Sequence, residues 1–307
     1  MRSAVREIGR GAAMRAQRTL SSLGVLVVPN HYYSPVADTN ELARSKASWA
    51  RPAPMHGIEV DLDAQAGRLA ERVGPFEPEY RGNAAFLEAQ ANGYGLGFGY
   101  VEAQCLHGVI RDLKPARILE IGSGVSTHCM RGAARRNAHE GRPASITCVE
   151  PYPSAFLRGC DDIELIVARV QDLDPAIVET LGAGDLLFID TSHAVKPAGD
   201  VLSIYLDLLP RLRPGVVVQI HDIYFPYSYQ RDLLDTLYQW TETALLMALL
   251  TNNQHLRILF SLSMLHYERQ DALRRTFPEY EPAADEHGLA HRSEPGHFPS
   301  SIYLETC

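Results

Sequence analysis

Glu120-Ile121-Gly122-Ser123-Gly124-Val125-Ser126-Thr127 is the stretch from which the fold of this chain is read. A short apolar run, residues 117–121, enters two glycines and then a helical stretch, 126–137. Glycine at such a strand–helix turn lets the backbone approach a ligand closely, and the helix start offers free N–H groups and a partial positive charge. Taken alone, a glycine-rich turn of this kind is a weak signal. Two details sharpen it. The third glycine of the dinucleotide signature is missing, since Gly122 and Gly124 are followed by Ser126 and Thr127. An acid, Glu120, stands before the first glycine, where an ammonium group would find a counter-charge. A ligand with an ammonium group and no pyrophosphate suits this turn better than a nicotinamide dinucleotide.

Working outward, short apolar runs recur at 117–121, 145–149, 163–167, 186–189 and 216–220. Helical stretches at 126–137, 154–159, 175–181 and 197–209 lie between or after them. This alternation predicts an α/β fold with a doubly wound parallel sheet. The runs are almost continuously apolar, as strands covered on both faces must be. Before them, 86–91 and 101–113 read as helices around a glycine-rich loop, Tyr94 to Tyr100. After them, 230–250 reads as one long helix with Leu233, Leu234, Leu237, Trp240, Leu245, Leu246 and Leu249 at core spacing. A sixth strand is expected at 256–263 and a seventh at 301–305, with a charged, proline-dotted segment between 268 and 299.

Residues 1–82 show no such alternation and are expected to form an N-terminal helical arm or lid, leaving 83–307 as the ligand-binding domain. The start is rich in arginine (Arg2, Arg6, Arg10, Arg15, Arg18) with one acid, Glu7. Such a segment suits a targeting peptide or a membrane-surface helix. Its thin apolar face, Val5, Ile8 and Ala12, favours a helix packing on its own domain or on a second subunit, and hence a homo-oligomer through the arm. No apolar stretch is long enough to span a bilayer. Apolar residues make up 46% of the 307, enough for a sizeable core, and the formal net charge of −8 makes nucleic acid a poor partner. The five cysteines have neither zinc-ligand nor redox spacing, which points to a reducing, cytoplasmic setting.

The second strand ends Cys148-Val149-Glu150-Pro151, where a carboxylate can take both hydroxyls of a ribose. Asp172, after the third strand, is placed to meet an adenine amino group or to cap the helix that follows. With the glycine turn, these positions describe a site for S-adenosylmethionine. Residues 83–307 resemble the class I S-adenosylmethionine-dependent methyltransferases. The likeness is closer to a bacterial subgroup with Ile-Asp-x-Ser-His after strand four, here Ile189-Asp190-Thr191-Ser192-His193, and His-Asp-Ile after strand five, here His221-Asp222-Ile223. Gly93-Tyr94-Gly95 and Glu150-Pro151-Tyr152-Pro153 carry the same resemblance. It implies a Rossmann-like seven-stranded sheet of order 3-2-1-4-5-7-6. It also implies a cofactor site of Tyr94, Glu120, Gly122, Ser123, Gly124, Ser126, Thr127, Glu150, Pro151, Asp172 and Asp190. The expected reaction is methylation, at oxygen, of a small molecule such as a sugar or secondary metabolite.

Ligands in open α/β sheets bind outside the C-terminal strand ends, so Asp190, His193, His221 and Asp222 should converge beside the transferred methyl group. Two readings of that cluster stand. In one, similar to the catechol-type O-methyltransferases, Asp190, His221 and Asp222 hold a divalent metal ion that lowers a hydroxyl's pKa. The nitrogen of His221 departs from the all-oxygen magnesium pattern and shifts preference toward zinc, iron or manganese. In the other, His193 or His221 is a general base oriented by an aspartate such as Asp190. The aromatic run Ile223-Tyr224-Phe225-Pro226-Tyr227-Ser228-Tyr229 is a candidate acceptor lining, and His31-Tyr32-Tyr33 a candidate cover. A metal-dependent hydroxylase or hydrolase on the same fold remains the alternative, alongside a nicotinamide oxidoreductase and a non-catalytic binding subunit.

Overall fold

The computed structural model describes residues 2–95, 97–284, 288–291 and 296–307, without the side chains of residues 2–10 and 12. The apolar face expected of Val5, Ile8 and Ala12 therefore lies outside the described side chains, as does Leu96 of the glycine-rich loop. In chain order the helices that precede the sheet are α1 (Arg2–Ser22), α2 (Thr39–Arg44), α3 (Lys46–Trp49), α4 (Leu62–Arg72), α5 (Glu77–Tyr80), α6 (Ala84–Ala91) and α7 (Tyr100–Leu113). The alternating part follows: β1 (Arg117–Ile121), α8 (Val125–His139), β2 (Ser145–Val149), α9 (Ala155–Arg158), β3 (Glu164–Ile166), β4 (Leu186–Ile189), α10 (Asp200–Ser203) and β5 (Val217–Ile220). The chain closes with α11 (Glu242–Leu250), β6 (Leu256–Ser261), α12 (Leu262–Glu268), α13 (Gln270–Thr276) and β7 (Ile302–Thr306).

The strands form one sheet in the order β3-β2-β1-β4-β5-β7-β6. Strands β1 to β5 run parallel, and β7 pairs antiparallel with both β5 and β6. This is the Rossmann-like seven-stranded order expected from the sequence. Alternate residues of each strand feed opposite faces. Ile118, Cys148, Leu186, Phe188 and Val217 pack with α6, α7 and α8 on one side. Leu119, Ile121, Val149, Leu187, Ile189, Val218 and Ile220 pack on the other, with the residues that follow α10 and with α11. Both faces are covered, which is why the strands read as unbroken apolar runs.

Several expectations need correction. The long helix at 230–250 reduces to α11, and residues 231–241 run through turns and bends. There side chains bind backbone and compete with a helix: Trp240 N–H donates to Gln230 Oε1 and Tyr238 N–H to Thr236 Oγ1. Leu237, expected in the core, is 94% exposed. The stretch 175–181 winds as a 3-10 helix over Pro175–Thr180, and the expected helix 197–209 begins only at Asp200 and passes into a π-helical turn, Ile204–Leu208. The segment 268–299 includes α13, whose Leu273 is fully buried. Phe225 lies in the core and not in a pocket wall.

Before the alternating part, residues 25–27 and Tyr32 and Tyr33 are exposed. In contrast, α4 packs on β6, α12 and α13, and its Leu69 is fully buried. No helix among the described residues is long and apolar enough to cross a membrane.

Candidate active site

Two clefts open at the C-terminal strand ends, one lined by Asp190 and the other by Asp222. The first, of about 300 Å3, lies over the ends of β1, β2 and β4 and is walled by Gly122, Glu150, Pro151, Gln171, Asp190 and Thr191 among others. Gly122 has φ of 82°, and a Cβ there would run into the carbonyl of Asp190, so only glycine lets β1 end so close to β4. Glu150 stands at the rim. Its Oε1 accepts the Tyr152 N–H at 2.8 Å and its Oε2 the Ser123 N–H at 3.2 Å. Two buried polar atoms at this cleft, Gln171 Oε1 and Thr191 Oγ1, have no hydrogen-bond partner among the described residues. Buried groups are rarely left so, and two at one cleft fit a polar ligand that completes them.

Other expected cofactor residues turn elsewhere. Glu120 is fully buried behind the turn, accepting Ser126 Oγ at 2.7 Å, Thr127 Oγ1 at 2.6 Å and Cys148 Sγ at 3.2 Å. Thr127 Oγ1 in turn accepts the Gly124 N–H at 3.0 Å. These three side chains therefore shape the glycine turn from behind and do not face the cleft. Burial pushes the Glu120 carboxyl up to about 7, against the pull of its hydroxyl and thiol donors. Asp172 pairs with Arg169 at the surface and leaves the cleft to Gln171; the cap of the following turn is Asp174. The Tyr94 ring stacks on Phe156 at 3.8 Å, while its backbone lies against Gly124.

The second cleft, of about 530 Å3, is bordered by Asp222, Tyr224, Arg231, Trp240, His297 and Lys46 of α3. Of the aromatic run after β5, Tyr224 borders it. A neighbouring cleft of about 610 Å3 lies between the arm (His31, Tyr32, Trp49) and residues 229–241, and Trp240 is common to both.

Between the clefts, Asp190, His193, His221 and Asp222 converge as expected. His193 Nε2 is 3.2 Å from Asp190 Oδ1 and 3.3 Å from Asp222 Oδ2. His221 Nδ1 is 3.5 Å and 3.4 Å from the same two oxygens. Both His193 and Asp222 adopt left-handed backbone, φ 54° each, which turns their side chains back toward the strand ends. Burial disfavours every charge here, yet the opposite charges prevail. His193 is pushed up to about 10 by Asp222, Asp190 and Glu242, and His221 is raised well above its ordinary value by Asp222, Glu102 and Asp190. Asp190 and Asp222 are held below the ordinary carboxylate range by the two histidines.

Residues not foreseen in the sequence hold this centre in place. Glu242, at the start of α11, binds His193 Nδ1 at 2.8 Å. Glu102, fully buried in α7, binds His221 Nε2 at 3.1 Å and His297 Nε2 at 2.7 Å. Its other oxygen accepts the Ser300 N–H at 2.9 Å and Ser301 Oγ at 2.8 Å. Asp222 Oδ1 accepts Tyr224 Oη at 3.0 Å and Ser300 Oγ at 2.9 Å, which leaves Oδ2 to the centre. The one signal in the sequence was an acid inside an otherwise buried helix, Tyr100–Leu113, where charge needs a partner.

The sheet order defines the fold, and residues 119–223 match a family model described as a methyltransferase domain. Residues 119–223 are thus similar to a methyltransferase domain, and they lie on the Rossmann-like seven-stranded sheet of the methyltransferase fold. An uncharacterised protein of Archaeoglobus fulgidus is 29% identical over 182 residues, covering 54% of this chain and 79% of the relative. Among solved structures, the O-methyltransferase TomG of Streptomyces achromogenes with S-adenosylmethionine is 13% identical, covering 81% of this chain and 91% of that one, with a TM-score of 0.44. The methyltransferase MycE of the mycinamycin pathway, with magnesium and S-adenosylhomocysteine, is 17% identical, covering 72% and 54%, with a TM-score of 0.39. The sheet order itself, and not these distant likenesses, defines the fold.

Proposed function

We propose that this enzyme transfers the methyl group of S-adenosylmethionine to a hydroxyl of a polar small molecule. The observation that carries this is one charged centre reached by a different cleft at each of its two aspartates, Asp190 and Asp222. Glu150 at the end of β2 takes the ribose hydroxyls, and Gln171 and Thr191 offer their unpaired polar atoms to the rest of the ligand. The β1–α8 turn brings backbone N–H groups to the carboxylate end. Glu120, Ser126 and Thr127 support that turn from behind. S-adenosylmethionine supplies a methyl group already activated on a positive sulfur.

The acceptor occupies the cleft bordered by Asp222, Tyr224, Arg231, Trp240 and Lys46. Its wall carries both signs of charge and aromatic faces, which suits a hydroxylated substrate such as a sugar-bearing metabolite. Lys46 comes from the N-terminal arm, so the arm covers the acceptor, and the exposed residues 25–27 and 32–33 are the part offered to a second copy of the chain. The cluster of Asp190, His221 and Asp222 is suited to a divalent ion, because His221 Nδ1 is buried, faces both carboxylates and lacks a hydrogen-bond partner among the described residues. Such an ion would lower the pKa of an acceptor hydroxyl. A free histidine base fits less well. Glu242 holds Nδ1 of His193, and its Nε2 faces the aspartate pair rather than the open cleft.

Calorimetric titration of the full chain with S-adenosylmethionine, and separately with NADH, tests the reading. Binding of the first alone is expected. Absence of S-adenosylmethionine binding would overturn it and favour a non-methylating metalloenzyme on the same fold.

A further inference from the structure

The geometry points to a four-donor site between the clefts, with His193 Nε2 as the fourth ligand beside Asp190, His221 and Asp222, selective for a zinc-like transition cation over magnesium. This inference rests on the ion reading of the same cluster and goes further, to His193 and to the kind of ion.

Distances come first. The four nitrogen–oxygen separations between the histidine pair and the aspartate pair are 3.2, 3.3, 3.4 and 3.5 Å. Those are long for charge-assisted hydrogen bonds, which run at about 2.7–2.9 Å. They match the edges of a tetrahedron around an ion with metal–ligand bonds of about 2.0–2.2 Å, for which the edge is about 3.3–3.6 Å. An octahedral magnesium site with bonds of about 2.0–2.1 Å would bring neighbouring ligands to about 2.9 Å. These four of the six edges fit four protein donors around one ion, which the acceptor hydroxyl would join as a fifth ligand.

Orientation is the second argument. Each imidazole is tied at its outward nitrogen by a nearly or fully buried glutamate: His193 Nδ1 by Glu242 and His221 Nε2 by Glu102. An acceptor on one nitrogen fixes the tautomer so that the other presents its lone pair inward. This carboxylate–histidine pairing is how metal-binding imidazoles are oriented in general. The fully buried Nδ1 of His221 has no hydrogen-bond partner among the described residues and faces both carboxylates, where a lone pair directed inward would lie. Asp222 repeats the design, with Oδ1 held by Tyr224 and Ser300.

Chemistry is the third. Two imidazole nitrogens and two carboxylate oxygens suit zinc, iron(II), cobalt(II) or manganese, whereas magnesium prefers oxygen and water. Glu102 and Glu242 are positioning residues, acting through the histidines.

The test uses the full chain, stripped with a chelator and titrated with cobalt(II). One cobalt per chain is expected, with the strong visible absorption of four-coordinate cobalt, displaced by an equivalent of zinc and not by millimolar magnesium. His193→Asn should abolish that absorption. Glu242→Gln, and independently Glu102→Gln, should weaken cobalt binding by about 10- to 100-fold. Stoichiometric magnesium that cobalt cannot replace would overturn the inference. So would an unaltered cobalt spectrum in His193→Asn, or unaltered affinity in Glu242→Gln. Circular dichroism and S-adenosylmethionine titration on the same samples separate this from misfolding and from failure of the methyl-transfer reading. A chain that binds S-adenosylmethionine but no transition ion refutes the four-donor site alone.

Discussion

Gly122 and Asp190 meet so closely that a methyl group on the first would overlap the carbonyl oxygen of the second. That contact brings the end of β1 against the end of β4, and both Gly122 and Asp190 line the cleft proposed for the cofactor. Gly122→Ala adds both this clash and the cost of φ 82° for a residue with a side chain. It should reduce S-adenosylmethionine affinity at least tenfold and lower the melting temperature, read by calorimetry and a thermal scan on one sample. Unchanged affinity would mean that the turn does not face the ligand.

Glu150 gives the cleanest separation of binding from folding. It is partly exposed and its carboxylate accepts only two backbone N–H groups of its own loops. Glu150→Ala should leave stability within about 1 kcal/mol, as surface changes do. Affinity for S-adenosylmethionine should fall by more than tenfold in the same titration, and equal affinity would remove the ribose assignment.

Glu120 should leave a mark on the pH dependence of stability. Burial raises its folded carboxyl from 4.5 to about 7. Between those values the folded state binds the proton more tightly than the unfolded one. Its contribution to stability is present in full below about pH 4.5 and is lost as pH rises through about 7. The loss is at most on the order of 3 kcal/mol. Urea unfolding at about pH 5 and pH 8 should show this decline, and Glu120→Gln should flatten it. An equally steep decline in the variant would place the titrating group elsewhere.

The N-terminal segment is expected to divide at α4. Leu69 is fully buried against the helices and sheet of the domain, while residues 25–27 lie exposed. Leu69→Ala should cost about 2–5 kcal/mol. Removal of residues 1–37 should leave urea unfolding almost unchanged. If that deletion destabilises the chain as much as the Leu69 variant, the arm is part of the core.

The strands were legible because a sheet covered on both faces demands apolar residues without interruption; β1, β2 and β4 fall where the pattern put them. The edge strand β3 is shorter than expected because one side of it meets solvent. The turn segment 231–241 was misread for a physical reason too. Leucine and tryptophan recur there at helical spacing, but Gln230 and Thr236 hold the backbone in turns and Leu237 faces water. Within the site, the four inward groups were legible from their places after β4 and β5. Glu102, Glu242 and His297 were not, because each reaches the centre from an element far away in the chain and none belongs to a local motif. Glu120, Ser126 and Thr127 sit in the right motif, but local sequence does not say which face of the turn a side chain takes.

Glu102 also bears on how this enzyme could be re-engineered. It lies in α7, ahead of the 119–223 segment that matches the family model, while Glu242 and His297 lie beyond that segment. A swap of the central β1–β5 block between relatives would carry over the four inward-facing groups and leave their supports behind. Chimeras of this chain should therefore be cut outside α7 and α11, so that each imidazole travels with the acid that aims it.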